Sequence, residues 1–133
     1  MLRTGIDLIE VSRLRRALER HGERFERRVF TPEESAYCRR KAIPWPHFAV
    51  RFAAKEALFK SLLPGTLPVL VWREIGVRRH PSGAPELAFS GATAKLLHGW
   101  TFALALTHER NIAMAQVLAL PPGAAHLHQN WPE

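Results

Sequence analysis

The run at residues 47–63 most constrains what this chain can fold into. Pro44-Trp45-Pro46 precedes it and Pro64-Gly65 follows it, while Phe48, Phe52, Phe59 and Leu63 recur at helical spacing. Such a pattern predicts a central helix with the aromatic stripe turned inward. Glu56 and Lys60 lie one turn apart beside that stripe, a carboxylate and an ammonium on one face. Taken alone, the two residues are commonly a solvated surface pair worth about 0.2–0.5 kcal/mol. Taken with Asp7, on a short and mostly apolar N-terminal strand, they offer two hard oxygen ligands for a divalent cation beside a lysine that can meet phosphate. That set of groups suits phosphoryl-type transfer.

The rest of the chain reads as punctuated elements. Residues 2–9 form a strand, and Ser12 offers an N-cap for a helix to about residue 21, where Gly22 supplies a stop. Val11, Leu14, Ala17 and Leu18 mark its buried stripe, and Arg13, Arg16 and Arg20 share another face. Thr31-Pro32-Glu33-Glu34 predicts a second helix with a capping box and proline at its first position, ending near Lys41. From Leu67 the period changes. Strands are expected at 69–72, 75–79 and 86–89, with the turn His80-Pro81-Ser82-Gly83-Ala84-Pro85 between the last two. A short helix at 91–98 stops at Gly99. A final hairpin, 101–107 and 112–120, is apolar enough to be expected buried on both faces. Residues 121–133 lose all pattern and read as a loose tail, where His126 and His128 lack further metal ligands.

With 133 residues, 47% of them hydrophobic, the chain has room for one core, placed within residues 1–120. No apolar run approaches the roughly 20 residues of a membrane span, and Arg3, Thr4, Gly5 and Asp7 interrupt any secretory core, so a cytoplasmic protein off the membrane is expected. The single cysteine, Cys38, excludes an internal disulfide and reads as a helix residue without chemistry. A net charge of +7 implies an acidic partner: nucleic acid, a nucleotide carrying several phosphates, or a small acidic protein.

Three blocks weigh on the choice among these. Thr4-Gly5-Ile6-Asp7-Leu8-Ile9-Glu10-Val11-Ser12-Arg13, Arg51-Phe52-Ala53-Ala54-Lys55-Glu56-Ala57 with Lys60, and Leu106-Thr107-His108 resemble the signature blocks of holo-[acyl-carrier-protein] synthases, in the family's order and spacing. Trp72-Arg73-Glu74-Ile75-Gly76-Val77 and Ser82-Gly83-Ala84-Pro85 resemble the strand and turn between the second and third blocks. The resemblance covers residues 1 to about 120. It departs at Arg3, at Leu62-Leu63-Pro64-Gly65 and at Ala105, where the family commonly has glycine, glycines and serine.

The resemblance implies an α+β fold, a 4′-phosphopantetheinyl transferase-like domain with a mainly antiparallel sheet packed on the central helix. It also implies transfer of 4′-phosphopantetheine from coenzyme A to a serine of apo acyl carrier protein. Asp7 and Glu56 match its Mg²⁺ ligands, with Mn²⁺ an alternative ion, and Lys60 is placed to neutralise the departing phosphate. Either Glu56 or a metal-polarised water takes the serine proton. His108 matches a contact to coenzyme A phosphate; Arg51, with the basic Arg39-Arg40-Lys41, is a candidate for the 3′-phosphate, and Ser82, Gly83 and Pro85 for the adenine. Arg13 matches a carrier-protein contact that Arg16 and Arg20 extend. A homotrimer with sites between subunits is implied. Two rivals remain at this level: a basic nucleic-acid-binding module, and a scaffold that binds carrier proteins without transfer.

Overall fold

The computed structural model describes residues 1–62 and 70–123. Leu63, the Pro64-Gly65 stop, the start of the strand expected at 69–72, and His126 and His128 lie outside the described residues. Elements run β1 (Arg3–Glu10), α1 (Val11–Val29), α2 (Pro32–Arg39), α3 (Trp45–Ser61), a 3₁₀ turn (Trp72–Glu74), β2 (Ile75–Arg79), β3 (Pro85–Phe89), α4 (Gly91–Leu96), β4 (Thr101–Glu109) and β5 (Ile112–Leu120). β1, β5 and β4 form an antiparallel sheet in that order, and β2 and β3 pair as a separate hairpin. The expected α+β architecture is what the chain adopts.

Small residues bring the sheet onto α3. Ala49, Ala53, Ala54 and Ala57 of the helix and Ala113, Ala115 and Val117 of β5 are all buried in one core. On β1, alternation turns Gly5, Asp7 and Ile9 toward the helix. Gly5 permits the close approach: a Cβ there would lie 1.9 Å from the Ala57 carbonyl oxygen and 2.7 Å from the Ser61 nitrogen. Asp7, two residues on, is thereby drawn to the wall of α3.

Tertiary contacts redraw several expected boundaries. Ser12 does not cap α1; the helix begins at Val11, whose N–H donates to the Asn111 carbonyl at 2.8 Å, while the Ser12 N–H donates to Asn111 Oδ1 at 2.9 Å. A residue of the β4–β5 turn therefore supplies the cap. Gly22 does not end the helix. It kinks it, at φ 62° and ψ −153°, and helix resumes to Val29 because Val29 and Phe30 still have core to reach. Of the strand expected at 69–72, the described residues 70 and 71 are irregular chain entering the 3₁₀ turn at Trp72, where the Val71 N–H donates to Thr93 Oγ1 at 3.3 Å rather than to a ladder. Pro46, expected to break the chain before the central helix, sits in its first turn, which tolerates proline. The Thr31–Glu34 capping box is present as expected.

The final hairpin is not buried on both faces. β5 alternates buried and open positions, and the outward face of the sheet exposes Ile6 at 54%, Leu8 at 55% and Leu118 at 37%. Its apolar pattern reflects a covered face and an uncovered apolar one.

Candidate active site

Asp7, Glu56 and Lys60 converge on one cleft of about 440 Å³, whose walls also include Arg13, Phe25 and Phe52. β1 supplies Asp7 because Gly5 locks the strand against Ala57; Glu56 and Lys60 follow from the pitch of α3. Lys60 Nζ donates to Asp7 Oδ1 at 2.9 Å and to the Ile6 carbonyl at 3.1 Å. Burial raises the Glu56 carboxyl above its ordinary range, the Asp7 charge adds to this, and Lys60 opposes it. Asp7 and Glu56 are thus two carboxylates within Coulombic reach, with one ammonium between two negative charges. This hard-oxygen pair fits Mg²⁺, which is commonly held by one or two carboxylates and completes its shell with water and substrate oxygens. Among the described residues no group of three or more His, Cys, Asp or Glu side chains could hold a metal on its own.

Arg13 lines the cleft from α1, whereas Arg16 and Arg20 are exposed along the same helix outside it. The sequence-predicted stripe is therefore a basic ridge leading from the cleft.

Arg51 and His108 lie elsewhere. Lys60 is nine residues beyond Arg51, about 900° of helical rotation, so the two point to opposite sides of α3. β4, which carries His108, is separated from β1 by β5, roughly 10 Å of sheet. Arg51 is only 5% exposed, its guanidinium donates to the His47 carbonyl at 3.0 Å, and it stacks over the Tyr37 ring at 4.4 Å. The His47 ring meets those of both His108 and Tyr37 edge to face, with centroids 6.0 Å apart in each case. Arg79, followed by Lys41, pulls the Tyr37 hydroxyl down in pKa against its burial. Arg79 also donates to the Gly83 carbonyl at 3.0 Å, which ties the Ser82-Gly83 turn to this flank. In that turn Gly83 adopts φ 90° and donates to the His80 carbonyl at 2.7 Å, and Pro85 begins β3. One chain thus carries two separate clusters, an acidic cleft with Lys60 and a basic, aromatic group around Arg51.

Sequence reasoning passed over His47, Tyr37 and Arg79. His47 was within reach, since it stands four residues before Arg51 on the same helix face; Tyr37 and Arg79 arrive only through packing. Lys55 was also missed. It is fully buried and bridges Glu34 Oε1 at 2.6 Å, the Trp72 carbonyl at 3.3 Å and the Val29 carbonyl. Burial lowers its pKa and Glu34 opposes the shift.

The fold and these two clusters define a class. Residues 3–116 match the profile of the 4′-phosphopantetheinyl transferase superfamily, and the chain belongs to that family. Within it the chain is similar to the holo-[acyl-carrier-protein] synthase of Koribacter versatilis, with 39% identity over 121 residues covering 89% of this chain and 97% of the relative. It is similar in structure to the holo-[acyl-carrier-protein] synthase of Neisseria meningitidis, at a TM-score of 0.79 and 30% identity over 89% of this chain and 97% of that one. The Helicobacter pylori enzyme in complex with coenzyme A is also similar, at a TM-score of 0.75 and 26% identity over 88% and 99% of the two chains. The resemblance read from the three blocks holds.

Proposed function

We propose that this chain is a holo-[acyl-carrier-protein] synthase that moves 4′-phosphopantetheine from coenzyme A to a serine hydroxyl of apo acyl carrier protein. The convergence of Asp7, Glu56 and Lys60 on one cleft carries this reading. The serine oxygen forms a bond to the β-phosphorus of the coenzyme A diphosphate, the bridging P–O bond breaks, and adenosine 3′,5′-bisphosphate leaves. Asp7 and Glu56 would hold Mg²⁺, or Mn²⁺, which when bound supplies positive charge against the diphosphate. Lys60, directed into the cleft by Asp7, meets charge developing on the departing phosphate. Glu56 is the chain's own acceptor for the serine proton, since the cleft's other carboxylate is paired with Lys60. Mass spectrometry of an apo carrier protein incubated with this chain, coenzyme A and Mg²⁺ tests the activity: the phosphopantetheine adduct is expected, and an unchanged mass would refute it.

The basic half-site takes the other end of coenzyme A, with Arg51 and His108 on the 3′-phosphate and the Ser82-Gly83 turn and Pro85 beside the adenine. Because the two half-sites face away from each other, the complete site lies between chains, and a homotrimer closes it with the exposed face around Ile6, Leu8 and Leu118 as packing surface. Arg13, Arg16 and Arg20 receive the acidic carrier protein. Among the described residues no aromatic ring is an exposed large hydrophobic side chain, which favours a protein partner over nucleic acid with its need for a stacking platform. No helix of the described residues is long and apolar enough to cross a membrane. The buried free thiol of Cys38 suits a reducing, cytoplasmic setting.

A further inference from the structure

His47 belongs to no signature block, yet it is the hub of the basic half-site. It sits half-buried in the first turns of α3, and three contacts converge on it. Its carbonyl accepts from the Arg51 guanidinium at 3.0 Å, its ring meets His108 of β4 edge to face, and it meets Tyr37 of α2 in the same manner. Arg51 is in turn held over the Tyr37 ring at 4.4 Å, which closes a circuit of three residues from α2 and α3, and His108 of β4 joins it through the His47 ring. Among the described residues the buried Arg51 Nε has no hydrogen-bond partner, and the guanidinium is held by stacking and by one carbonyl rather than by a carboxylate. An arginine without a carboxylate partner keeps its charge for an anion.

We infer that His47 is a positioning residue for phosphate recognition, its ring orienting His108 directly and Arg51 through the Tyr37 ring on which Arg51 stacks, and gaining a proton when the anion arrives. This rests on the reading of Arg51 and His108 as contacts to the 3′-phosphate of coenzyme A. The charged and titratable groups facing the His47 ring are Tyr37 of α2, Lys41 just beyond it, Arg51 of α3, Arg79 of β2 and His108 of β4. Burial first, and then the cations Arg51, Lys41, His108 and Arg79, hold the His47 imidazole below the ordinary histidine range. The free ring is therefore neutral at pH 7. A phosphate placed among these cations offsets the repulsion that keeps the ring neutral, so binding raises its pKa. Binding then takes up a proton, and affinity rises as pH falls toward 6.

Two substitutions separate position from protonation. His47→Ala removes the ring and its contacts to Tyr37 and His108 while leaving the carbonyl that accepts from Arg51; His47→Phe keeps an edge-to-face partner for Tyr37 and His108 but cannot titrate. Binding of adenosine 3′,5′-bisphosphate is measured by calorimetry at pH 6 and pH 8, each in two buffers of different ionisation enthalpy, with thermal melts to verify folding. His47→Ala is expected to weaken binding roughly five- to tenfold at pH 8 and to raise the coenzyme A KM with kcat changed less than about twofold. His47→Phe is expected to recover affinity at pH 8 but to show less proton uptake at pH 6 than the unmodified chain. Unchanged affinity in folded His47→Ala would overturn the positioning role, and unchanged proton uptake in His47→Phe would overturn the protonation. If Arg51→Ala and His108→Ala also left binding unchanged, the reading of the whole half-site would fall, an outcome distinct from failure at His47 alone.

Discussion

Lys55 and Glu56 are neighbours in sequence, and α3 turns them about 100° apart, which gives the two charges opposite tasks. Lys55 is sealed among Glu34, Val29 and Trp72, so removing it leaves the Glu34 carboxylate buried without its cation. Lys55→Met is expected to destabilise the fold by about 3–5 kcal/mol, and Glu34→Gln added to it to restore part of the loss, as read by denaturant unfolding. Glu56 faces the cleft, where Glu56→Gln and Asp7→Asn should each lower turnover by roughly 10²-fold or more with melting temperature little changed, measured by carrier-protein mass shift and thermal melt. Near-normal turnover by either variant at low Mg²⁺ would remove it from the metal site. Cys38 was legible as inert, and its burial raises the thiol to about 12 from the model-compound value of 9.0. The folded thiol thus keeps its proton after the unfolded one has lost it, so stability is fully present below pH 9 and declines as pH rises toward 12. Melting temperatures of the unmodified chain and Cys38→Ala, compared from pH 8 to about 11, should diverge in that direction.

At the level of elements, the placement of the cleft depends on how closely β1 meets α3. Gly5→Ala would force a methyl against the Ala57 carbonyl, so the strand must move and carry Asp7 away from Glu56. Loss of both stability and transfer is expected, the former by several kcal/mol, about the scale of an overpacked core. If Gly5→Ala melted and turned over as the unmodified chain does, the strand would not be positioning the site. Gly22 shows why local signals place boundaries poorly. A glycine there was a sound reason to expect a stop, but Val29 and Phe30 had buried places to fill and helix resumed beyond it. In the same way Ser12 carried the right chemistry for a cap, yet Asn111 reached the helix end first from a turn 99 residues away. The Thr31–Glu34 box was legible because all its partners lie within one turn.

At the scale of the whole molecule, the separation of Arg51 and His108 from Asp7 and Glu56 predicts complementation. Inactive Asp7→Asn chains mixed with inactive His108→Ala chains, after dissociation and reassembly, should regain part of the activity, because some interfaces would pair two intact halves. No recovery from mixed oligomers verified by native mass spectrometry would show that each site is built within one chain. Arg13→Ala is expected to raise the carrier-protein KM and flatten its salt dependence, since it alters encounter more than chemistry; a change confined to the coenzyme A KM would instead assign the ridge to the nucleotide. The sequence by itself determined the central helix, the placement of Glu56 and Lys60 on one face of it, the candidacy of Asp7, and the family, because these rest on local spacing and on ordered blocks of residues; that Lys60 pairs with Asp7 was decided by the fold. Tertiary structure alone decided that Lys55 is fully buried while Glu56 stays half-buried at the cleft, that Tyr37, His47 and Arg79 gather around Arg51, and that one sheet face stays open and apolar. Those outcomes depend on which residues far apart in the chain come to share a neighbourhood, and neither helical nor strand periodicity encodes that.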